Sequence, residues 1–448
     1  MPFEPPAVLS PEARPVAPAD VAAESWAAAF PRERRALVLA PGSADGWFRG
    51  RPVVACDPEE IVELPGTLPF REPYRPAEPL ARAGALLDAV FGSSEASLAA
   101  ALLTYEGALA AALFRRGLVL AEDGWRPWGD WSSGPAVPRA PARHRGAKTP
   151  RAGSALATGL TSSMSRTAHR RAVLAVHEAI RRGDVYVLNL TRTLRGEARV
   201  PRGSLFAALV ERSRADMAAC WSLPGRDVSS GSPERFVRVT AGRGRRAAGT
   251  GAGTLAGARV EIAPIKGTRP RGARPGADAL LASELASSAK ERAEHVMIVD
   301  LERNDLGRVC VPGSVGVSPL LEVRTTPYCH QMVSCVQGTV AAGIDSADLL
   351  AATFPCGSVT GAPKFAAMKA VAGLEGGPRG LYTGSLVVAV PGAIDSSVLI
   401  RTAELAEDGA VSWGTGGGVT IDSDPAEEWR ETVLKAVPLT GATRTASR

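Results

Sequence analysis

Aromatic residues make up only 5% of this 448-residue chain, which contains five histidines and six cysteines. Cys56, Cys220, Cys310, Cys329, Cys335 and Cys356 are scattered without a CxxC pair, so they read as reduced, mostly buried thiols and not as a disulfide framework. No HExxH arrangement offers a zinc site. No apolar run reaches the roughly 18 residues of a membrane-crossing helix. Glu106 interrupts the best stretch, 99–114. The first 20 residues carry Pro, Ala and acids with no basic segment leading into an apolar core, unlike a secretory signal. A cytoplasmic protein with no membrane partner is therefore expected. The net charge of +6 comes mainly from arginine, as at Arg170, Arg171, Arg243, Arg245 and Arg246. A nucleic-acid binder would interleave such charge with aromatics, so no nucleic-acid partner is expected.

With 45% hydrophobic residues the chain has ordinary globular composition and can bury a large core. Residues 21–130 are Ala-rich and weakly patterned, with short strand-like runs at 36–39 and 52–55. Prolines 135, 138, 141 and 150 and a Ser/Thr cluster mark 132–165 as a connector. Ser165 is placed to cap a helix running to about 182, with Val173, Val176 and Ile180 at helical spacing and Gly183 ending it. A buried strand over 185–191 follows. Further helices are expected over 277–299 and 425–436, and strands over 384–390 and 397–403. Glycine-rich stretches at 249–257 and 414–418 suggest phosphate binding, but neither gives GxxxxGK[ST] or a GxGxxG fingerprint. The first reads as an exposed, flexible insertion; the second leads toward a helix carrying acids.

Three groups of residues carry candidate chemistry. Lys266 stands in Pro264-Ile265-Lys266-Gly267-Thr268-Arg269-Pro270-Arg271-Gly272, with Val260, Ile262 and Ala263 before it, which reads as a strand ending in a Gly267-Thr268 turn. Loss of water around such an ammonium favours the neutral amine, a nucleophile. A lone lysine at a strand end can equally snorkel to solvent. On the second helix Glu291 and Glu294 share a face, with Glu284 a heptad before Glu291. On the third, Glu428 and Glu431 repeat the spacing, with Lys435 four residues beyond. Two helices aiming paired carboxylates inward suit Mg²⁺, which takes one or two carboxylates and leaves positions for water and an anionic substrate. The same residues would also make a solvated salt-bridge face, as Glu431 with Lys435. Glu234, after Ser232-Pro233, suits either a general acid at a cleft or a turn.

Together these pieces resemble the chorismate-utilising enzymes over about residues 166–438. The resemblance is carried by Ser232-Pro233-Glu234-Arg235-Phe236, the 264–272 run, and Lys290-Glu291-Arg292-Ala293-Glu294-His295 leading to Met297-Ile298-Val299-Asp300-Leu301. It continues through Arg303-Asn304-Asp305-Leu306-Gly307-Arg308, Phe354-Pro355-Cys356-Gly357-Ser358 and Gly361-Ala362-Pro363-Lys364. Last come Arg379-Gly380-Leu381-Tyr382-Thr383-Gly384, residues 416–425 and Glu431-Thr432. The resemblance implies an α+β fold of large antiparallel sheets packed face to face, with helices outside and the site in a cleft. Residues 1–131 would be an N-terminal region of that fold, 132–165 the Pro/Ser-rich connector, 166–438 the chorismate-binding catalytic domain and 439–448 a tail.

Within the family the Lys266 position divides activities. Anthranilate synthases are similar but carry Ala there; a lysine marks the aminodeoxychorismate-forming branch. The resemblance implies that Lys266 attacks C2 of chorismate as the C4 hydroxyl leaves, and that ammonia then enters C4 and expels the lysine, giving 4-amino-4-deoxychorismate. Glu234 would be the general acid, and Glu294 and Glu431 the Mg²⁺ ligands, with Glu291 and Glu428 close behind. Tyr382 and Arg401 would bind the enolpyruvyl carboxylate, and the amides of Gly416, Gly417 and Gly418 the other. Ser358, Gly267, Thr268 and Lys435 would complete the substrate site. Val187 stands where isochorismate and salicylate synthases carry a water-activating lysine, so those activities are not expected. Gln331 stands where anthranilate-type relatives usually carry His. No Gly-x-Cys-x-Gly glutaminase segment occurs, so a separate glutamine amidotransferase subunit would supply ammonia in a heterodimer. A downstream aminodeoxychorismate lyase would then form 4-aminobenzoate, as for folate. Two alternatives remain open: component I of anthranilate synthase, and a non-catalytic subunit or basic binding protein that keeps only the fold.

Overall fold

The run Leu98–Leu103 contains only Ala and Leu, and every residue in it is buried. A strand points successive side chains to opposite faces. Accordingly Ala99, Ala101 and Leu103 enter one apolar cluster and Leu98, Ala100 and Leu102 another. Burial on both faces removes the polar alternation that marks a half-exposed strand, which is why 21–130 is weakly patterned. The computed structural model describes residues 22–441 except 24, 42, 44, 67–75, 94, 96, 122–123, 130–149, 151–152, 214, 243–254 and 326–328.

Among these residues an eleven-stranded and a nine-stranded sheet form, with a separate three-stranded sheet. The two large sheets pack face to face: Leu37, Leu39 and Trp221 of one meet Leu98, Leu102, Leu386 and Val388 of the other in a single cluster. Each fully buried leucine there contributes about 1.5–3 kcal/mol. Helices cover the outer faces. Leu80, Ala83 and Leu87 of Glu78–Phe91 close over Ala99 and Ala101. Trp26 and Phe206, from Ser25–Ala29 and Arg202–Ser213, close over Val38 and Cys220. This is the α+β architecture that the resemblance implies. Strands before residue 130 join both large sheets: Leu37–Ala40, Val53–Ala55, Arg116–Ala121 and Gly124–Gly129 in the larger, and Ile61–Leu64, Leu98–Leu103 and Leu109–Phe114 in the smaller. Glu106, in the turn between the last two, accepts from the Arg379 and Gly380 amides at 2.7 and 3.1 Å.

The cleft is framed by strands β1 (Val187–Ala198) and β2 (Ile265–Pro270), helices α1 (Pro275–Ser287) and α2 (Ala289–Gly307), strands β3 (Cys329–Val333) and β4 (Ala410–Val419), and helix α3 (Pro425–Thr440). Where one helix is expected over 277–299, two form. Ser288 ends α1 with ψ 107 and caps α2 by accepting from the Glu291 amide. Across the break Arg269 bridges the two helices, pairing with Glu284 at 3.0 Å and with Glu291 at 3.4 Å. The strand expected over 397–403 is also two: the chain leaves the smaller sheet at Val398 and enters the larger at Thr402, with Arg401 in a left-handed conformation (φ 50) at the corner. The connector shortens, because Ala157–Ser162 is a strand paired with β1; residues 132–149 lie outside the described residues. So does most of the 249–257 stretch, although Leu255 is fully buried.

Gly267 and Thr268 do not end β2. They form a bulge within it, where the register with β3 shifts between Lys266 and Thr268 and Gly267 takes φ 75. A Cβ at Gly267 would lie 2.8 Å from Leu285 Cδ1 and 3.0 Å from Glu291 Oε2. Gly267→Ala is therefore expected to cost about 1–3 kcal/mol of stability. A lowered thermal unfolding midpoint would bear this out, and an unchanged one would contradict it.

Candidate active site

Two neighbouring crossovers between the large sheets build one end of the cleft. Pro233 and Glu234 join Arg226–Ser232 to Arg235–Thr240, while 399–401 make the return from Ala393–Val398 to Thr402–Ala406. The strands on either side pair with each other, as Ser230 with Thr402 and Arg235 with Ser397. The Ser232 hydroxyl accepts from the Glu234 amide at 3.2 Å, and the Glu234 carbonyl accepts from Val398 at 3.1 Å, which fixes the turn. Glu234 is 5% exposed, and its Oε1 has no hydrogen-bond partner among the described residues. Burial pushes its carboxyl up, against the nearby Ser358 hydroxyl, the Lys266 and Lys435 charges and the Ile265 amide. A carboxyl held toward its protonated form beside an amine sets an acid next to a nucleophile.

The amine is that of Lys266, paired in β2 opposite Met332 of β3. Its Nζ donates to the Ser358 carbonyl at 3.1 Å. A Cβ on Gly418 would stand 3.7 Å from both Lys266 Nζ and Val187 Cγ2, so the missing side chain leaves room beside the amine and Val187 borders the same space. The structure thus brings Lys266, Glu234, Ser358, Val187 and Gly418 together.

Four glutamates, two from α2 and two from α3, approach the same strands. A Cβ at Gly417 would be 3.2 Å from both Glu428 Oε2 and Glu431 Oε1. Burial raises the Glu294 carboxyl; Lys266 and Lys290 oppose this, and Glu291 and Glu431 add to it. Burial, with Glu431 and Glu294, pushes Glu428 up to about 7 despite Ser423 and Lys290. At Glu431 burial is outweighed by Lys435, 2.6 Å away, and by Lys266 and Lys290, so that carboxyl sits below its ordinary value. Glu428 Oε2 is buried without a partner among the described residues. These oxygen donors, drawn from two helices, are of the kind Mg²⁺ takes, and two of them already have cation partners: Glu431 in Lys435 and Glu291 in Arg269 at 3.4 Å. No three His, Cys, Asp or Glu side chains among the described residues already converge as a cage.

Further cationic, hydroxyl and amide groups come from the crossover, the 379–384 segment and β4. Burial lowers the Arg401 guanidinium, which has no carboxylate partner among the described residues. Burial likewise pushes the Tyr382 phenol up and keeps it a neutral donor. Gly414 lets that ring lie on β4, since a Cβ there would meet Tyr382 Cγ at 1.9 Å. Gly416, Gly417 and Gly418 pair with Thr191, Leu190 and Asn189 of β1. On the other edge of β4 the neighbouring strand pairs only as far as Trp413, so among the described residues no strand covers 414–418 there. Exposed Lys435 donates to the Gly416 carbonyl at 2.9 Å. Thr268 lies exposed beyond the bulge opposite Gln331, apart from the groups above.

The family described as chorismate binding enzyme matches residues 139–441. The chain belongs to the chorismate-binding enzymes. A protein named aminodeoxychorismate synthase from Streptomyces pristinaespiralis is 44% identical over 279 residues, which are 62% of this chain and 37% of that protein. One named aminodeoxychorismate synthase component 1 from Klebsiella aerogenes is 38% identical, over 62% of this chain and 58% of its own. One named anthranilate synthase component 1 from Streptomyces coelicolor is 37% identical, over 64% and 53%. The chain thus spans roughly a third to three-fifths of the length of these curated relatives. Its fold is that of anthranilate synthase component I from Streptococcus pneumoniae (TM-score 0.66, 20% identity, 92% of this chain and 91% of that one). The menaquinone-specific isochorismate synthase of Escherichia coli shares it (TM-score 0.67, 15% identity, 93% and 90%).

In this chorismate-binding chain several groups around the cleft escape a reading by residue type. Arg379 holds the floor: it pairs with Glu375 at 2.8 Å, donates to the Asn189 and Val359 carbonyls and stacks over Tyr105. Lys364 donates to Asp305 and to the Thr353 carbonyl, both at 2.7 Å. Fully buried His295 lies by Lys266, and burial lowers its ring to about 4, so it stays neutral. All stand inside the sequence motifs, so position in a motif was the available signal. A groove of about 600 Å³ flanks α2 between Tyr186, Val296, Met297 and Leu320. Its lining is largely apolar, and the acids of the cleft do not line it.

Proposed function

We propose that this chain is the chorismate-aminating component of an aminodeoxychorismate synthase. The observation that carries the reading is the position of Lys266 Nζ beside Gly418, in the field of Glu234, Glu294 and Glu431. In this reading Nζ bonds to C2 of chorismate while the C4–O bond breaks, and Glu234 gives its proton to the departing hydroxide, forming water. Ammonia then bonds to C4, the C2–Nζ bond breaks, and the proton shed by the new amine is taken up in the cleft. Two displacements replace one unassisted substitution. Arg401, Tyr382 and the uncovered amides of β4 would hold the two substrate carboxylates. Mg²⁺, held by Glu294 and Glu431 with Glu291 and Glu428 behind them, would supply positive charge beside the ring carboxylate.

Names ending in "component 1" among the relatives support a partner subunit. Here it would be a glutamine amidotransferase that delivers ammonia, with a lyase downstream. The test is product analysis by mass spectrometry after incubating the chain with chorismate, Mg²⁺ and ammonium at mildly alkaline pH. 4-Aminobenzoate appearing only when an aminodeoxychorismate lyase is added is the expected result. Anthranilate and pyruvate formed without the lyase would move the chemistry to C2 and overturn the assignment.

A further inference from the structure

The reaction above leaves one carboxyl of the cleft floor without a role. Glu302, on α2, is 1% exposed, and its Oε2 has no hydrogen-bond partner among the described residues. The Cys356 thiol donates to its Oε1 at 3.8 Å. The same sulfur lies 3.3 Å from Ser358 Oγ, and either atom can donate. The Ser358 hydroxyl in turn lies close enough to the Glu234 carboxyl to favour its ionised form. Buried groups with exchangeable hydrogens therefore run from Glu302 by way of Cys356 and Ser358 toward the acid.

We propose that Glu302 is the proton store of Glu234, exchanging a proton with it through the Cys356 thiol and the Ser358 hydroxyl. This rests on the reading of Glu234 as the acid. Once Glu234 has protonated the departing hydroxide it is a carboxylate in a buried place, and bound substrate would close the open side of the cleft. The Ser358 hydroxyl proton then passes to Glu234, the Cys356 proton to Ser358 Oγ, and the Glu302 carboxyl proton to Cys356 Sγ. One O–H bond is lost at Glu302 and one gained at Glu234, with Cys356 and Ser358 neutral before and after. The negative charge moves to Glu302, which feels Lys364 and Asp305. When ammonia sheds a proton on bonding to C4, the same line runs in reverse.

At rest the store is full. Burial first, then Glu234 and Asp305, hold Glu302 well above the usual carboxylate range against Lys364 and the Cys356 bond. Burial, with Glu302 and Glu234, keeps the Cys356 thiol protonated. Glu302 is a positioning residue: it acts on the substrate only through Glu234.

The test is the pH profile of chorismate consumption, whatever the product, for wild type, Glu302→Gln, Cys356→Ala and Cys356→Ser, with folding checked by thermal melts. Glu302→Gln is expected to lower kcat about tenfold or more. It should also move the alkaline limb to lower pH, because Glu234 without a second acid to share protons ionises sooner. Cys356→Ala is expected to lower kcat similarly at little change in KM, and Cys356→Ser to restore it, since a hydroxyl also conducts a proton. If Glu302→Gln does not fold, the two cysteine variants decide alone. Folded variants with the wild-type limb and kcat would overturn the relay, as would a serine variant no better than the alanine one, which would mark Cys356 as packing. A wild-type chain that consumes no chorismate would instead overturn the underlying assignment of Glu234.

Discussion

Lys266→Ala is expected to lower kcat/KM for chorismate by about 10³-fold, roughly 4 kcal/mol of barrier, while the chain stays folded. The size follows from what the amine does in the proposed reaction: without it there is no bond to C2, and ammonia must displace a hydroxyl from C4 directly. The fold should survive, because among the described residues Nζ makes a single hydrogen bond, to the Ser358 carbonyl, and orphaning that acceptor costs about 1 kcal/mol. Glu234, Glu294 and Glu431 also lose a cation that favours their ionised forms. Each can take up a proton in response, so the loss falls on charge state more than on packing. Intact-mass measurement adds a direct readout. Wild type given chorismate without ammonia should gain the mass of chorismate less one water on Lys266, and the alanine variant should not. A folded variant that turns over at the wild-type rate would sink the covalent role.

How much of this was legible in the sequence depends on the kind of signal each element carries. The helix begun by Ser165 announces itself, because Ser165 accepts from the Ala168 amide and Val173 and Val176 are buried at helical spacing. The break at Ser288 was legible too, in the capping pattern Ser288-Ala289-Lys290-Glu291, but apolar spacing runs on across it and hides it. The Gly267 bulge has no such local mark; only the pairing of β2 with β3 turns an apparent turn into a strand with a register shift. Apart from Arg401 the 397–403 run is apolar or small because both its halves are interior strands, so no Gly or Pro marks the corner that Arg401 turns between two sheets. For the site, residue type and motif order were enough to collect Lys266, Glu234 and the four glutamates. They could not reveal Glu302 beside Cys356, because that line of contacts joins α2 to a segment 54 residues away.

Glu294→Gln is expected to lower activity by at least about 10²-fold, near 3 kcal/mol, through loss of Mg²⁺. It is the cleaner of the two ligand variants. Glu431 pairs with Lys435 at 2.6 Å, so Glu431→Gln also releases a lysine toward the Gly416 carbonyl it already touches. Glu294 makes no ion pair within 4 Å among the described residues, and its charge is opposed by Glu291 and Glu431. Amidation there removes an oxygen anion and little else. Calorimetric titration of Mg²⁺ into the chain without substrate should show weakened binding, and saturating Mg²⁺ should return part of the activity if the defect is affinity. The same titration carries a pH signature. Burial pushes the Glu428 carboxyl up to about 7, so below that pH a cation competes with a proton for it. Mg²⁺ affinity should therefore rise as pH increases through about 7 and level off above it, and Glu428→Gln should flatten that rise. Undiminished Mg²⁺ binding by Glu294→Gln, with full activity, would show that the carboxylates on α2 and α3 form a salt-bridge face and not a metal site.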